Sequence, residues 1–213
     1  ECDRVVDAVA RNKVKFLTDG QLAFHTYSRA IKEAEKEIHI LTYILGNDDV
    51  GNSIMDLLIE KASAGVRVRL LIDALGSFHK PREKIKSLKA AGGEVCTFMP
   101  AFPIQAHGWA NLRNHRKIAV FDNRLSILGG RNIDDRFMGE KPDPDRFYDF
   151  GAVYEGPVVE CLNGIFLSDW SFASKQALEE IRVLEPVTDT GIGGSNITGI
   201  VSGPDVLGDI LYE

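Results

Sequence analysis

Apolar residues along the chain follow two rhythms, alternation and helical spacing, and they change over at glycines, prolines and aspartates. Residues 14–17 read as a short strand, and Asp19-Gly20 open a helix to about residue 36. Within it Phe24, Tyr27, Ile31 and Ala34 recur at helical spacing and should face a core, while His25 lies off that stripe and is read as solvated. EIHILTYIL (37–45) reads as a strand, with Asp48 and Asp49 in the turn that follows. A helix over 52–64 should bury Ile54, Leu57, Leu58 and Ala62 and stop at Gly65. VRVRLLID (66–73) is the next strand, with Arg67 and Arg69 on a face expected to be less buried. A loop at 76–81, a helix at 82–91, the Gly92-Gly93 stop and a strand at 94–98 complete a β-α-β-α-β series. That series predicts an α/β fold: a mixed, mostly parallel sheet flanked by helices on both faces.

The second half is less regular. MPAFPIQAHGWA (99–110) is a loop carrying Phe102, Ile104 and Trp109, side chains that either receive an acyl chain or membrane surface or fold back onto the core; its His107 is read as a solvated loop residue. Residues 116–121 read as a strand, 133–138 as a helical turn, 139–145 as a surface loop and FYDFGAVY (147–154) as a strand. Gly156-Pro157 start a helix whose core stripe is Val159, Leu162, Phe166 and Trp170. Residues 187–198 are rich in Gly, Thr and Ser and read as a linker, followed by a short strand at 198–201 and a new helix after Pro204.

Composition adds limits. A chain of 213 residues that is 44% hydrophobic and 26% charged can build a sizeable core. Its net charge of −6 gives no support to a nucleic-acid partner, although a local basic patch remains compatible with it. Cys2, Cys96 and Cys161 are far apart and lack zinc-site spacing, so they are read as free thiols of a reducing compartment. No apolar run is long enough to span a bilayer, and no signal-peptide pattern is present. The absent initiator Met and the short helix at the end suggest a piece of something longer.

The chemistry concentrates in NLRNHRKIAVFDNRLSILGGRN (111–132). On a strand, His115 and Lys117 share a face. An ammonium beside an imidazole, with a glycine turn at Gly129-Gly130 bringing Asn132 back nearby, can hold one phosphate group. Asp122 is an odd number of residues from both and should face the other way, as a structural carboxylate paired with Arg124 or with backbone N–H groups.

The pattern H-x-K-x4-D-x6-G-G-x-N, filled by His115, Lys117, Asp122, Gly129, Gly130 and Asn132, resembles the phospholipase D superfamily. Nearly the whole chain is similar to bacterial-type cardiolipin synthases. The matching segments are NLRNHRK (111–117), GVRVRLLIDALGS (65–77), Phe147-Tyr148-Asp149, Gly156 to Val159, Asp169-Trp170 and Ser202-Gly203-Pro204. The resemblance implies a nucleophilic His115, with Lys117 and Asn132 on the non-bridging phosphate oxygens. It places an acidic residue at Asp149, which would orient the imidazole. Arg113, Phe102 and Trp109 become candidate substrate contacts, and neither metal nor cofactor is implied.

Of the five histidines, only His115 has a lysine two residues on. The superfamily builds its site from two such motifs, so residues 1–186 are expected to be one catalytic half, and 187–213 the linker and first elements of a second, truncated half. The other motif would come from a carboxy-terminal region or from a homodimer. The transmembrane segments that cardiolipin synthases carry before this region are not in the sequence. The implied function is a phosphatidyl transfer between phosphatidylglycerol molecules through a phosphohistidine, at the cytoplasmic face of a membrane. A phospholipase D hydrolase, a single-motif homodimeric phosphodiesterase or nuclease, and a non-enzymatic lipid-binding half stay open beside it.

Overall fold

In the computed structural model, which describes residues 5–99, 113–181 and 193–200, eight strands form one sheet in the order β4-β3-β2-β5-β6-β7-β1-β8. The strands are β1 (Val5–Leu17), β2 (Glu37–Thr42), β3 (Arg67–Asp73), β4 (Glu94–Phe98), β5 (Ile118–Phe121), β6 (Leu125–Gly129), β7 (Gly151–Glu155) and β8 (Ser195–Ile200). The helices are α1 (Gly20–Glu33), α2 (Asp49–Ser63), α3 (Arg82–Ala90) and α4 (Val158–Ser174).

The α/β class and the mixed sheet agree with the sequence reading, but the parallel share is smaller than expected. Only β2 with β3 and β3 with β4 pair in parallel; β2–β5, β5–β6, β6–β7, β7–β1 and β1–β8 are antiparallel. Crossover helices α2 and α3 enforce the parallel half, whereas the tight turn at Asp122 and Asn123 forces a hairpin. That turn is left-handed at both residues, a conformation Asp and Asn tolerate. β1 is also far longer than the strand read at 14–17, because register shifts between Val6 and Asn12 let it continue along β8. The strand beyond residue 194 lies on this same sheet, at its edge.

Helices cover both faces. Ile38, Ile40, Val68, Leu70, Ala119 and Phe121 point toward α1 and α2, where they meet Tyr27, Ile31, Ile54 and Leu58. Leu41, Leu71, Ile118 and Val120 point the other way and pack under Leu162, Phe166 and Trp170 of α4. Every residue of β2 and of its neighbour β5 is buried.

A polar cluster lies under α4. His39 is fully buried, stacked on Phe166 at 4.7 Å, with Nδ1 2.8 Å from Asn163 Oδ1 and Nε2 3.4 Å from Arg69 Nη1. Arg69 is buried here, beside Glu94 and over the Trp170 ring, and so does not face the less buried surface read from sequence. Since an arginine only donates, Nε2 accepts and the proton sits on Nδ1, where it donates to Asn163.

Burial, with Arg69 and Arg67 adding to it, pushes the His39 pKa down to about 4 against the hydrogen bond that Nδ1 donates to Asn163. A depressed histidine pKa means stability is fully present above the unfolded value and lost as pH falls through the folded one. Urea denaturation is therefore expected to show stability falling between about pH 6.5 and pH 4, by up to about 3 kcal/mol. His39→Gln should flatten that slope; an unchanged slope would remove His39 as its source.

Candidate active site

The antiparallel pairing of Leu41 with Ile118 carries the chain just before β5 alongside Thr42 and Tyr43. His115 and Lys117 lie in that lead-in segment, ahead of the regular strand, yet the shared face expected from parity is realised. Lys117 Nζ is 2.9 Å from His115 Nδ1 and donates to the His115 carbonyl at 2.5 Å. Beneath both lies the Tyr43 ring, 4.3 Å from the imidazole by centroid and 5.4 Å from the ammonium. A cation over an aromatic face is held electrostatically. Tyr43 is the clearest site residue that sequence reasoning missed, because in an apolar strand a tyrosine reads as core.

The electrostatics suit an anion. Lys117 is buried and its stem borders a small cavity with Leu17, Tyr27 and Met138. That burial lowers its pKa to about 8 despite the opposing charge of Asp149. His115 is exposed, and its pKa is lowered by partial desolvation and by Lys117, against the charge of buried Asp73. Both effects favour the neutral ring, the form a nucleophile needs.

Asn132 is buried, and its Oδ1 accepts from the Ile44 backbone N–H at 3.0 Å, so its amide Nδ2 is the donor that remains. The segment is fastened beside β2 by Ile133 N–H to Ile44 O at 3.1 Å and Gly46 N–H to Ile133 O at 2.8 Å.

Gly129 and Gly130 do not make the turn expected of them. Gly129 ends β6 opposite Gly151, and a Cβ there would stand 2.5 Å from the Gly151 Cα. At Gly130 a Cβ would collide with both carboxylate oxygens of Asp149. The pair is required for close approach between strands, and Gly130 leaves the volume that the Asp149 carboxylate occupies. Asp149 also receives Arg131, whose guanidinium donates to the Asp149 carbonyl and, at 2.8 Å, to the Leu17 carbonyl. No hydrogen bond joins Asp149 to His115 among the described residues; the Asp149 charge acts on Lys117 and Arg131.

Asp122 points away from this group. Its oxygens accept from the backbone N–H groups of Glu35 at 2.8 Å, Lys36 at 2.7 Å and Glu37 at 2.9 Å, the backbone alternative of the two partners read from sequence. Arg116 reaches Asp169 of α4 at 2.8 Å and 3.0 Å, tying the motif to that helix. Arg113 donates to the Met99 carbonyl at 2.9 Å and lies 3.8 Å from Asp73. Phe102, His107 and Trp109 lie outside the described residues. Asp48, Asp134 and Asp135 come close enough to share a cation, but Asp48 caps α2 through Gly51 and Asp134 pairs with Arg136.

The family description "Cardiolipin synthase, PLD-like domain" matches residues 27–170, which run from within α1 to within α4 and include His115, Lys117, Asn132 and Asp149. The chain belongs to that family. It is 36% identical over 200 residues to a cardiolipin synthase of Alkalihalophilus pseudofirmus, covering 93% of this chain and 40% of the relative. A probable cardiolipin synthase of Bacillus subtilis is 33% identical over 209 residues, covering 95% of this chain and 41% of the relative. The chain thus spans about two fifths of the length of the curated relatives it matches. Its fold is similar to that of Nuc from Salmonella typhimurium, a phospholipase D family member, with a TM-score of 0.55 at 18% identity over 76% of this chain and 95% of Nuc. NucT from Helicobacter pylori gives a TM-score of 0.54 at 16% identity, covering 76% of this chain and 97% of NucT. Among the described residues of this phospholipase D-like domain, no helix is long and apolar enough to cross a membrane.

Two outcomes are expected. Tungstate, a phosphate-like dianion, should bind the Lys117 site with affinity falling about tenfold per pH unit above pH 8, as the ammonium loses its proton. Calorimetric titration across that range checks this, and Lys117→Arg should remove the dependence. Asp122→Ala leaves three amide donors without their acceptor and should lower stability by about 2–4 kcal/mol in urea melts, with tungstate binding retained.

Proposed function

We propose that this chain is the amino-terminal catalytic half of a phosphatidyltransferase of cardiolipin synthase type. The observation that carries the reading is the imidazole of His115 held 2.9 Å from the Lys117 ammonium, in a chain of the cardiolipin synthase family. A phosphodiester repels nucleophiles, and covalent catalysis divides its cleavage into two easier steps.

His115 attacks the phosphorus of one phosphatidylglycerol. A P–N bond forms, the P–O bond to the headgroup glycerol breaks, and that oxygen takes a proton from a second histidine. The hydroxyl of another phosphatidylglycerol then attacks phosphorus and returns its proton to the second histidine. The new P–O bond completes cardiolipin as the P–N bond breaks. Lys117 and the amide Nδ2 of Asn132 bind the non-bridging oxygens and stabilise the charge that develops on them. When those oxygens draw Lys117 off His115 Nδ1, the ring proton can sit on that nitrogen and leave Nε2 to attack, and Asp149 is the carboxylate we assign to accept the Nδ1–H hydrogen bond.

Arg113, Phe102 and Trp109 are assigned to substrate contact. Residues 1–186 then make one half, and 187–213 lead into the second, which supplies the second histidine from further chain or from another copy. The relatives' greater length supports further chain. A lipid substrate places the reaction at a membrane surface, which we assign to the cytoplasmic face.

Intact-mass analysis after exposure to phosphatidylglycerol, in parallel with a DNA oligonucleotide, tests the reading. A phosphatidyl-sized adduct mapping to His115, lost in His115→Ala and strongly reduced in Asp149→Asn, is expected. A nucleotide-sized adduct would overturn the lipid assignment. Absence of both in a protein carrying two motifs would remove the enzymatic reading altogether.

A further inference from the structure

The loop between β3 and α3 places two large apolar side chains in solvent beside the candidate site. Leu75 is 51% exposed and Phe78 is 53% exposed. They flank Gly76 and Ser77, the two residues on which Tyr43 rests. Ser77 Oγ donates to the Tyr43 carbonyl at 3.0 Å, and Gly76 lacks the Cβ that would strike the Tyr43 ring. Tyr43 in turn underlies His115. The exposed apolar pair is therefore linked to the imidazole through Gly76, Ser77 and Tyr43.

The adjoining helix is strongly basic. Residues 78–91 carry Lys80, Arg82, Lys84, Lys86 and Lys89 against a single acid, Glu83, in a chain whose net charge is −6. Arg82, Lys86 and Lys89 are all exposed and recur at the four- and three-residue spacing that puts them on one side of α3. Ile85 and Leu88 lie on the adjoining side of the helix and pack on the core. Local acids offset little of this charge: Lys84 meets Asp56, and Lys86 meets Glu83 in a fully solvated pair.

We propose that the β3–α3 loop and the basic side of α3 are the surface by which this domain docks on an anionic phospholipid bilayer. Leu75 and Phe78 enter the interface while Arg82, Lys86 and Lys89 lie over the acidic headgroups. Charge complementarity selects the partner's sign, and an exposed apolar pair beside the cations favours a bilayer, whose interior can receive both side chains. The inference rests on the lipid reading of the site and says where that lipid enters: docking here brings headgroups to the Tyr43 side of His115.

The test uses the whole 213-residue chain and vesicle co-sedimentation, which needs no turnover. Vesicles containing phosphatidylglycerol are compared with pure phosphatidylcholine vesicles. The wild-type chain should prefer the former, and the preference should weaken with added salt. Joint replacement of Arg82, Lys86 and Lys89 by glutamine should lower partitioning roughly a hundredfold, at about fivefold per cation. Leu75→Ser with Phe78→Ser should lower it by at least roughly tenfold.

His115→Ala should bind as wild type, so failure of the phosphohistidine chemistry leaves this result intact and readable. The surface variants should still form the His115 adduct on detergent-dispersed lipid, which separates docking from catalysis. Equal binding to both vesicle types, or wild-type binding by the variants, overturns the proposal. Loss of DNA-duplex binding in the cation variant, with vesicles ignored throughout, overturns it in favour of a nucleic-acid surface.

Discussion

The antiparallel register between β2 and β5 is the constraint on which the rest of this domain depends. Both strands are buried on both faces, so a slip of one residue would exchange the residues facing α1 and α2 with those facing α4. Asp122 fixes the register at one end by gathering the amides of Glu35, Lys36 and Glu37. The other end carries that alignment to where Tyr43 meets His115 and Lys117. A single motif thus contains both the reactive pair and the device that holds it in place, at opposite ends of one short strand.

The α4 side is organised by polar contacts as much as by apolar ones. Arg116 binds Asp169, Asn163 binds both His39 and Asn123, and Arg69 lies over Trp170. Apolar burial alone is non-directional and would tolerate rotation of the helix. Buried hydrogen bonds do not, because each donor left unmatched carries a desolvation penalty. This gives α4 a defined seat, and through Arg116 that seat is coupled to the chain leading into the reactive pair.

Much of this was legible in the sequence because it follows from short-range periodicity. Parity placed His115 with Lys117 and separated Asp122 from them, and helical spacing placed Tyr27, Ile31, Leu162 and Phe166 in the core. What escaped depends on partners distant in the chain. Arg69 sits within a strand and Tyr43 just past the end of one, and their apolar neighbours give no sign of what lies above them. Gly129 and Gly130 look like a turn when read locally, and only the approach of Gly151 and Asp149 shows why no side chain fits. The parallel share of the sheet was overestimated because the regular β-α-β opening was extended to a half in which β5, β6 and β7 pair as a meander.

The place of β1 in the sheet bears on how the domain is made. The first strand pairs with β7 and β8, near the other end of the described chain, and has no earlier neighbour. At translation rates of about 5–20 residues per second, it waits on the order of ten seconds for β7 to emerge. Throughout that interval its backbone donors and acceptors form an open edge, able to pair with any other nascent strand. Pairing of β1 thus waits until most of the described chain has been synthesised, and its edge has to be kept from other strands until then.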